Sequence, residues 1–207
     1  MIRSRLSLAI LLSFVVALLV GAAVFLYMPT ATNTTVTSTG KALVGGPFTL
    51  TDQDGKRVSD ADFRGKYMLV YFGYTFCPDV CPTELQVMTS AIGQMDKAQA
   101  DRVQPIFITV DPERDTVENM KLYVSNFGER LIGLTGSAED VTTATKAYRI
   151  YSSKVKDDGS TAEYLMDHTS LVFLMGPQGD FLRVFSYGTD AETMAKGITE
   201  ELQKSGA

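Results

Sequence analysis

The run YMLVYFGY, residues 67 to 74, carries no charge and stops just short of Cys77. An uninterrupted apolar run of this length, without polar alternation, reads as a strand covered on both faces. Cys77, Pro78, Cys81 and Pro82 follow at once, and then Leu85, Met88, Ile92 and Met95 recur at helical spacing. Pro82 suits the first turn of a helix, where its missing N–H is no loss. A buried strand feeding a cysteine pair at the start of a helix is compatible with few folds.

The flanking segments narrow the choice. FTLTDQDGKRVS, residues 48 to 59, reads as a hairpin turning at Asp54-Gly55. VQPIFITV (103 to 110) reads as a second buried strand. Residues 115 to 127 and 137 to 148 read as helices that open with a capping residue and early acids. SLVFLM and FLRVFSY flank the turn at Pro177-Gln178-Gly179-Asp180 as a hairpin, and residues 190 to 204 close the chain as a helix. The order β-β, β-α-β-α-(β)-α, β-β-α, with the cysteines between the first buried strand and its helix, is the thioredoxin plan. The expected class is α/β, a thioredoxin-like fold with an N-terminal β-hairpin extension.

The first 44 residues have a different character. Behind Arg3 and Arg5, residues 6 to 28 contain no charge. At about 1.5 Å per residue this stretch reaches about 35 Å as a helix, enough to span the hydrocarbon core of a bilayer. Residues 1–28 are expected to be one transmembrane anchor rather than a cleaved signal peptide, whose apolar core runs only about 7 to 15 residues. Arg3 and Arg5 would keep the N-terminus cytoplasmic and put the remainder across the membrane. The N-terminus shows no long Arg- and Ser-rich transit segment, which points to a single-pass protein of the bacterial inner membrane with its C-terminal domain in the periplasm. Residues 29–44, polar and Thr-rich, read as a flexible linker, and 45–207 as the thioredoxin-like domain. Removing Arg3 and Arg5 from 19 basic residues leaves 17 against 24 acidic ones, a net charge of −7. That balance argues against nucleic acid as a partner.

Cys77 and Cys81 are the chain's two cysteines, and His168 is its one histidine. As a structural staple the pair would do little, because so short a closed loop removes little entropy from the unfolded chain, about 3 kcal/mol or less. At a helix N-terminus, unpaired N–H groups and the helix dipole favour thiolate over thiol. Such a pair either closes into a disulfide or grips a soft metal. The spacing excludes covalent haem attachment, since Pro82 follows Cys81, and two thiols cannot build a four-cysteine zinc site. His168, in MDHT (166 to 169), directly precedes a strand expected to run beside the one that ends at Cys77. Two thiolates and one imidazole form a compact donor set, and sulfur with nitrogen suits copper.

Taken together, YFGYTFCPDVCPTEL (71 to 85), VDPERDT (110 to 116) and MDHTSLVFLMGPQGDF (166 to 181) resemble the Sco/SenC copper chaperones of cytochrome c oxidase assembly. The resemblance runs in order over residues 45 to 204. It implies copper, Cu+ or Cu2+, held by Cys77, Cys81 and His168 and delivered to the binuclear copper site of cytochrome c oxidase subunit II. Other periplasmic copper carriers and thioredoxin-like reductants are further implied partners. Asp111, Glu113 and Asp115 of VDPERDT read as solvated loop acids and a helix cap, and Asp167 as a turn residue.

Two other chemistries use the same thiols. A thiol–disulfide reductase keeping the cysteines of subunit II reduced needs Cys77 and Cys81 as its redox pair but no metal. A peroxide-consuming protein would want Ser or Thr three residues before its cysteine, where Tyr74 stands. A metallochaperone is therefore expected ahead of an enzyme.

Overall fold

The computed structural model of the protein describes residues 44–156 and 163–204. The expected anchor, residues 1–28, and all of the expected linker but Val44 lie outside the described residues. Among the described residues no helix is long and apolar enough to cross a membrane.

Strands β1 (Thr49–Asp52) and β2 (Arg57–Ser59) form the expected hairpin, with Gly55 supplying the positive φ, 82°, that the turn requires. A 3-10 turn (Asp60–Phe63) leads into β3 (Tyr67–Gly73), buried at every residue. Then come α1 (Val80–Gly93), the short α2 (Lys97–Ala100) and β4 (Val103–Thr109). Next are α3 (Val117–Val124), extended by a 3-10 turn to Phe127, then β5 (Ile132–Thr135) and α4 (Ala138–Tyr148). Strands β6 (Ser152–Val155), β7 (Leu165–His168), β8 (Leu171–Met175) and β9 (Phe181–Ser186) precede the last helix, α5 (Ala191–Lys204).

Seven strands make one sheet in the order β2-β1-β5-β4-β3-β8-β9. Strands β3, β4 and β5 run parallel, whereas β8 is antiparallel to β3 and β1 is antiparallel to β5. The hairpin β1–β2 therefore extends one edge of a thioredoxin-like sheet, as expected. Successive residues of a strand point to opposite faces. Tyr71 stacks on Phe107, which in turn meets Tyr123 of α3, so α1 and α3 cover the Tyr71 face. Phe72 packs on Tyr148 of α4 across the other face. Helix α5 packs against α1. Two covered faces explain why the central strands read as continuous apolar runs rather than alternating ones.

The helix ends follow local chemistry. Ser137 caps α4 in a capping box with Asp140, and the Thr116 hydroxyl, rather than an acid of the loop, caps α3. Strands β6 and β7 have no counterpart in the sequence reading. Among the described residues they pair only with each other, as a separate two-stranded sheet. They are partly polar and half exposed, so no apolar pattern announces them.

Candidate metal centre

Strand β3 ends at Gly73, and the chain turns through Tyr74–Asp79 into α1. The turn places Cys77 ahead of the helix and Cys81 in its first turn. The side chain of Asp79, the N-cap, makes no capping bond. Cys77 Sγ does that work instead, accepting the backbone N–H of Cys81 at 3.3 Å. Cys77 is half-buried, whereas Cys81 is fully buried, and both thiols are free. Tyr71 O–H donates to Cys81 Sγ at 3.7 Å.

The second half of the site arrives from β7. His168 Nε2 lies 3.5 Å from Cys81 Sγ, and its Nδ1 lies 3.1 Å from the carbonyl oxygen of Thr169. A carbonyl can only accept, so the proton is assigned to Nδ1, and Nε2 turns its lone pair toward the sulfurs. The rings of Tyr71 and Tyr74 meet the imidazole edge-on, with centroids 6.2 and 5.9 Å away, and fix its plane.

The two sulfurs divide their roles. The Cys81 thiol and the backbone N–H groups of Cys81 and Asp79 stabilise a thiolate on Cys77, and they outweigh burial to hold its pKa well below the ordinary thiol value. Cys81 is pushed up because its proton is shared with Cys77, because it is buried, and because the Cys77 charge lies beside it. The more accessible sulfur is thus the one whose surroundings favour the thiolate.

Among the described residues no group of three or more His, Cys, Asp and Glu side chains stands at metal-holding spacing. Cys81 joins the other two residues, its amide donating to Cys77 Sγ and its own Sγ lying 3.5 Å from His168 Nε2. The spacing nonetheless fits co-ligands. A nitrogen and a sulfur bound to one tetrahedral ion at about 2.1 and 2.3 Å lie about 3.5 Å apart, and Cys81 Sγ and His168 Nε2 are 3.5 Å apart. The site opens onto a shallow cleft lined by Tyr74, Cys77, Pro78, Val155, Met166 and His168. A second groove at the C-terminal end of α1, lined by Ile92, Met95 and Phe127, includes none of the three residues.

Residues 36–203 match the family model described as SCO1/SenC. The chain belongs to the SCO1/SenC family. Over 165 residues it is 41% identical to human "Protein SCO1 homolog, mitochondrial", covering 79% of this chain and 54% of that protein. Over 160 residues it is 43% identical to "Protein sco1" of Schizosaccharomyces pombe, covering 77% of this chain and 61% of the relative. The chain thus spans between about half and three-fifths of these relatives. Among solved structures, Arabidopsis thaliana ScoI with copper bound shares 39% identity with a TM-score of 0.74, covering 78% of this chain and 99% of that one. Bradyrhizobium japonicum ScoI with copper bound shares 43% identity at a TM-score of 0.69, covering 76% and 98%.

Some residues behave differently from the sequence reading. Asp111 and Asp115 are not solvated, being 1% and 0% exposed. Asp115 accepts from the Thr75 amide (3.1 Å) and hydroxyl (2.6 Å) and from the Thr109 hydroxyl (2.6 Å). Their burial follows from packing between segments, which no local pattern records. Glu113 is exposed, as a loop acid should be. Asp167 is a strand residue of β7, not a turn residue, exposed and paired with Ser153. Tyr71 and Tyr74 belong to the apolar run of the first buried strand, and their contacts with His168 have no signal in the sequence.

Proposed function

We propose that this protein is a copper chaperone that carries one copper ion on Cys77, Cys81 and His168 and delivers it to the binuclear copper site of cytochrome c oxidase subunit II. The observation that carries this reading is the convergence of two sulfurs and the free Nε2 lone pair of His168, with Cys81 Sγ and Nε2 3.5 Å apart. Thiolates and imidazole select copper over harder ions. The solved ScoI structures of Arabidopsis and Bradyrhizobium, both with copper bound, support the same cargo. Copper binds here as cargo to be released, and a shallow cleft with one accessible sulfur suits release, because a recipient's ligands can approach through Cys77. In this reading residues 1–28 anchor the protein in the bacterial inner membrane, 29–44 form a tether, and the domain works in the periplasm.

A thiol–disulfide reductase is the second reading, favoured by the division between a low-pKa Cys77 and a proton-bearing Cys81. Cys77 thiolate would attack a disulfide of subunit II, and Cys81 would resolve the mixed disulfide. Two electrons and the one proton of Cys81 pass to the recipient, which is left with one thiol and one thiolate, and the Cys77–Cys81 bond is left behind. Copper binding needs the reduced pair, so the two activities exclude each other on one molecule at one time.

The deciding experiment is copper stoichiometry of the reduced protein, wild type beside His168→Ala. One copper per chain is expected for wild type, with an intense sulfur-to-copper charge-transfer band for Cu(II). The alanine variant should lose most of its affinity while dithiol oxidation stays nearly intact. Equal copper retention by the two proteins would remove His168 from the site and leave the reductase as the better reading.

A further inference from the structure

The hairpin β6–β7 brings His168 to the cysteines, yet among the described residues its strands share no ladder with the seven-stranded sheet. A lone two-stranded hairpin is marginal in water, so side chains must hold it. They come largely from one loop, residues 111 to 115, between β4 and α3. Arg114 lies at its centre. Its Nε donates to Asp111 Oδ2 at 2.5 Å, and its Nη1 donates to the carbonyl of Tyr164 at 2.9 Å. Its guanidinium stacks 3.7 Å over the Tyr164 ring and 4.9 Å from the ring of Phe76. Tyr164 O–H closes the circuit by donating to Asp111 Oδ1 at 2.9 Å. Tyr164 immediately precedes β7, and Phe76 immediately precedes Cys77. Lys154 of β6 adds an outer contact, pairing with Glu113 at 2.6 Å.

We propose that Arg114 is a positioning residue for the copper site, latching the hairpin that carries His168 to the loop that also holds the cysteine segment. This rests on the copper reading of Cys77, Cys81 and His168 given above. The two halves of the site are far apart in the chain, and one short loop grips both. Asp115 holds Thr75 on the cysteine side, and the Asp111–Arg114–Tyr164 ring holds the hairpin. The Arg114 and Asp111 side chains are 18% and 1% exposed, so the pair is shielded from water and its geometry is strict. A planar guanidinium serves the carboxylate, the carbonyl and two rings at once; a lysine ammonium has no flat face to stack and no fork.

The test uses the full chain with Arg114→Gln, Arg114→Lys and Tyr164→Ala. In metal-free protein, amide hydrogen exchange should accelerate in residues 152–155 and 165–168 of Arg114→Gln while β3, β4 and β8 keep their protection. Copper affinity should fall about ten-fold, the scale on which residues behind the ligands act. X-ray absorption should show the nitrogen ligand weakened and the sulfur ligands retained. Arg114→Lys should recover little. If Arg114→Gln does not fold, Tyr164→Ala removes the ring and hydroxyl from the hairpin side and carries the same expectations. Unchanged hairpin exchange together with retained nitrogen ligation would overturn the latch. Should His168→Ala bind copper normally, the copper reading fails, and hairpin exchange in Arg114→Gln still decides whether the latch exists.

Discussion

Glu84, in the first turns of α1, is only 2% exposed, and among the described residues its Oε1 has no hydrogen-bond partner. Burial alone pushes its carboxyl from 4.5 up to about 7. The folded state therefore holds this proton more tightly than the unfolded chain does. Stability from this group is complete below pH 4.5 and is lost as pH rises toward 7, where the buried carboxylate must ionise. At about 1.4 kcal/mol per pH unit, the loss is about 3 kcal/mol at most. Glu84→Gln removes the charge and keeps the shape. We expect it to match wild type in urea unfolding at pH 5 and to exceed it by about 1 to 3 kcal/mol at pH 8. Parallel stability curves for the two proteins would show that Glu84 ionises without penalty.

At the scale of elements, the junction of β3 and α1 depends on a close approach. A Cβ on Gly73 would lie 2.8 Å from Cys81 Sγ and 2.9 Å from Phe107 Cε2. Only glycine lets the first turn of α1 bring its buried sulfur down onto the strand end. Gly73→Ala should cost about 1 to 3 kcal/mol by overpacking. It should also lower copper affinity, since the atom displaced is the one that meets His168. Calorimetry and a copper titration check the two effects together. An alanine variant that melts and binds like wild type would mean the helix shifts to make room at no expense. Strand β5 repeats the device at Gly133, where a Cβ would meet Met120 and Val124 of α3 at 2.6 to 2.7 Å.

For the molecule as a whole, cohesion comes from the sheet and its two covered faces rather than from the cysteines. Tyr67, Leu69, Val70, Tyr71, Phe72, Ile106, Phe107 and Ile108 are all 0% exposed, and helices pack on either side. Cys77→Ser with Cys81→Ser should therefore still unfold in one cooperative transition. The change should stay within about 3 kcal/mol, mostly from placing a serine hydroxyl in the core beside Tyr71. Copper binding and disulfide formation should vanish in the same protein. A non-cooperative melt would return the pair to a structural role.

The apolar runs at 67–74 and 103–110, the turn at Asp54-Gly55 and the helical spacing after Cys81 are enough to predict the thioredoxin-like plan, because burial on one or both faces writes its period into local sequence. Cys77, Cys81 and His168 are legible as candidates for a different reason. Two cysteines at a helix start and a single histidine before a strand leave few donors to choose from. The side chains that gather around them are not legible. Asp115 on Thr75, Tyr71 and Tyr74 around His168, and Arg114 on Tyr164 join segments 40 to 97 residues apart. Such contacts leave no periodic trace, and an acid in a polar loop reads the same whether solvent or a threonine receives it. Hairpin β6–β7 is hidden likewise, since its strands pair with each other at an exposed edge and bury no continuous face. Local periodicity thus determined which elements form and which donors are available. Which of them meet, and how firmly, was decided by the packing of one loop against two distant segments.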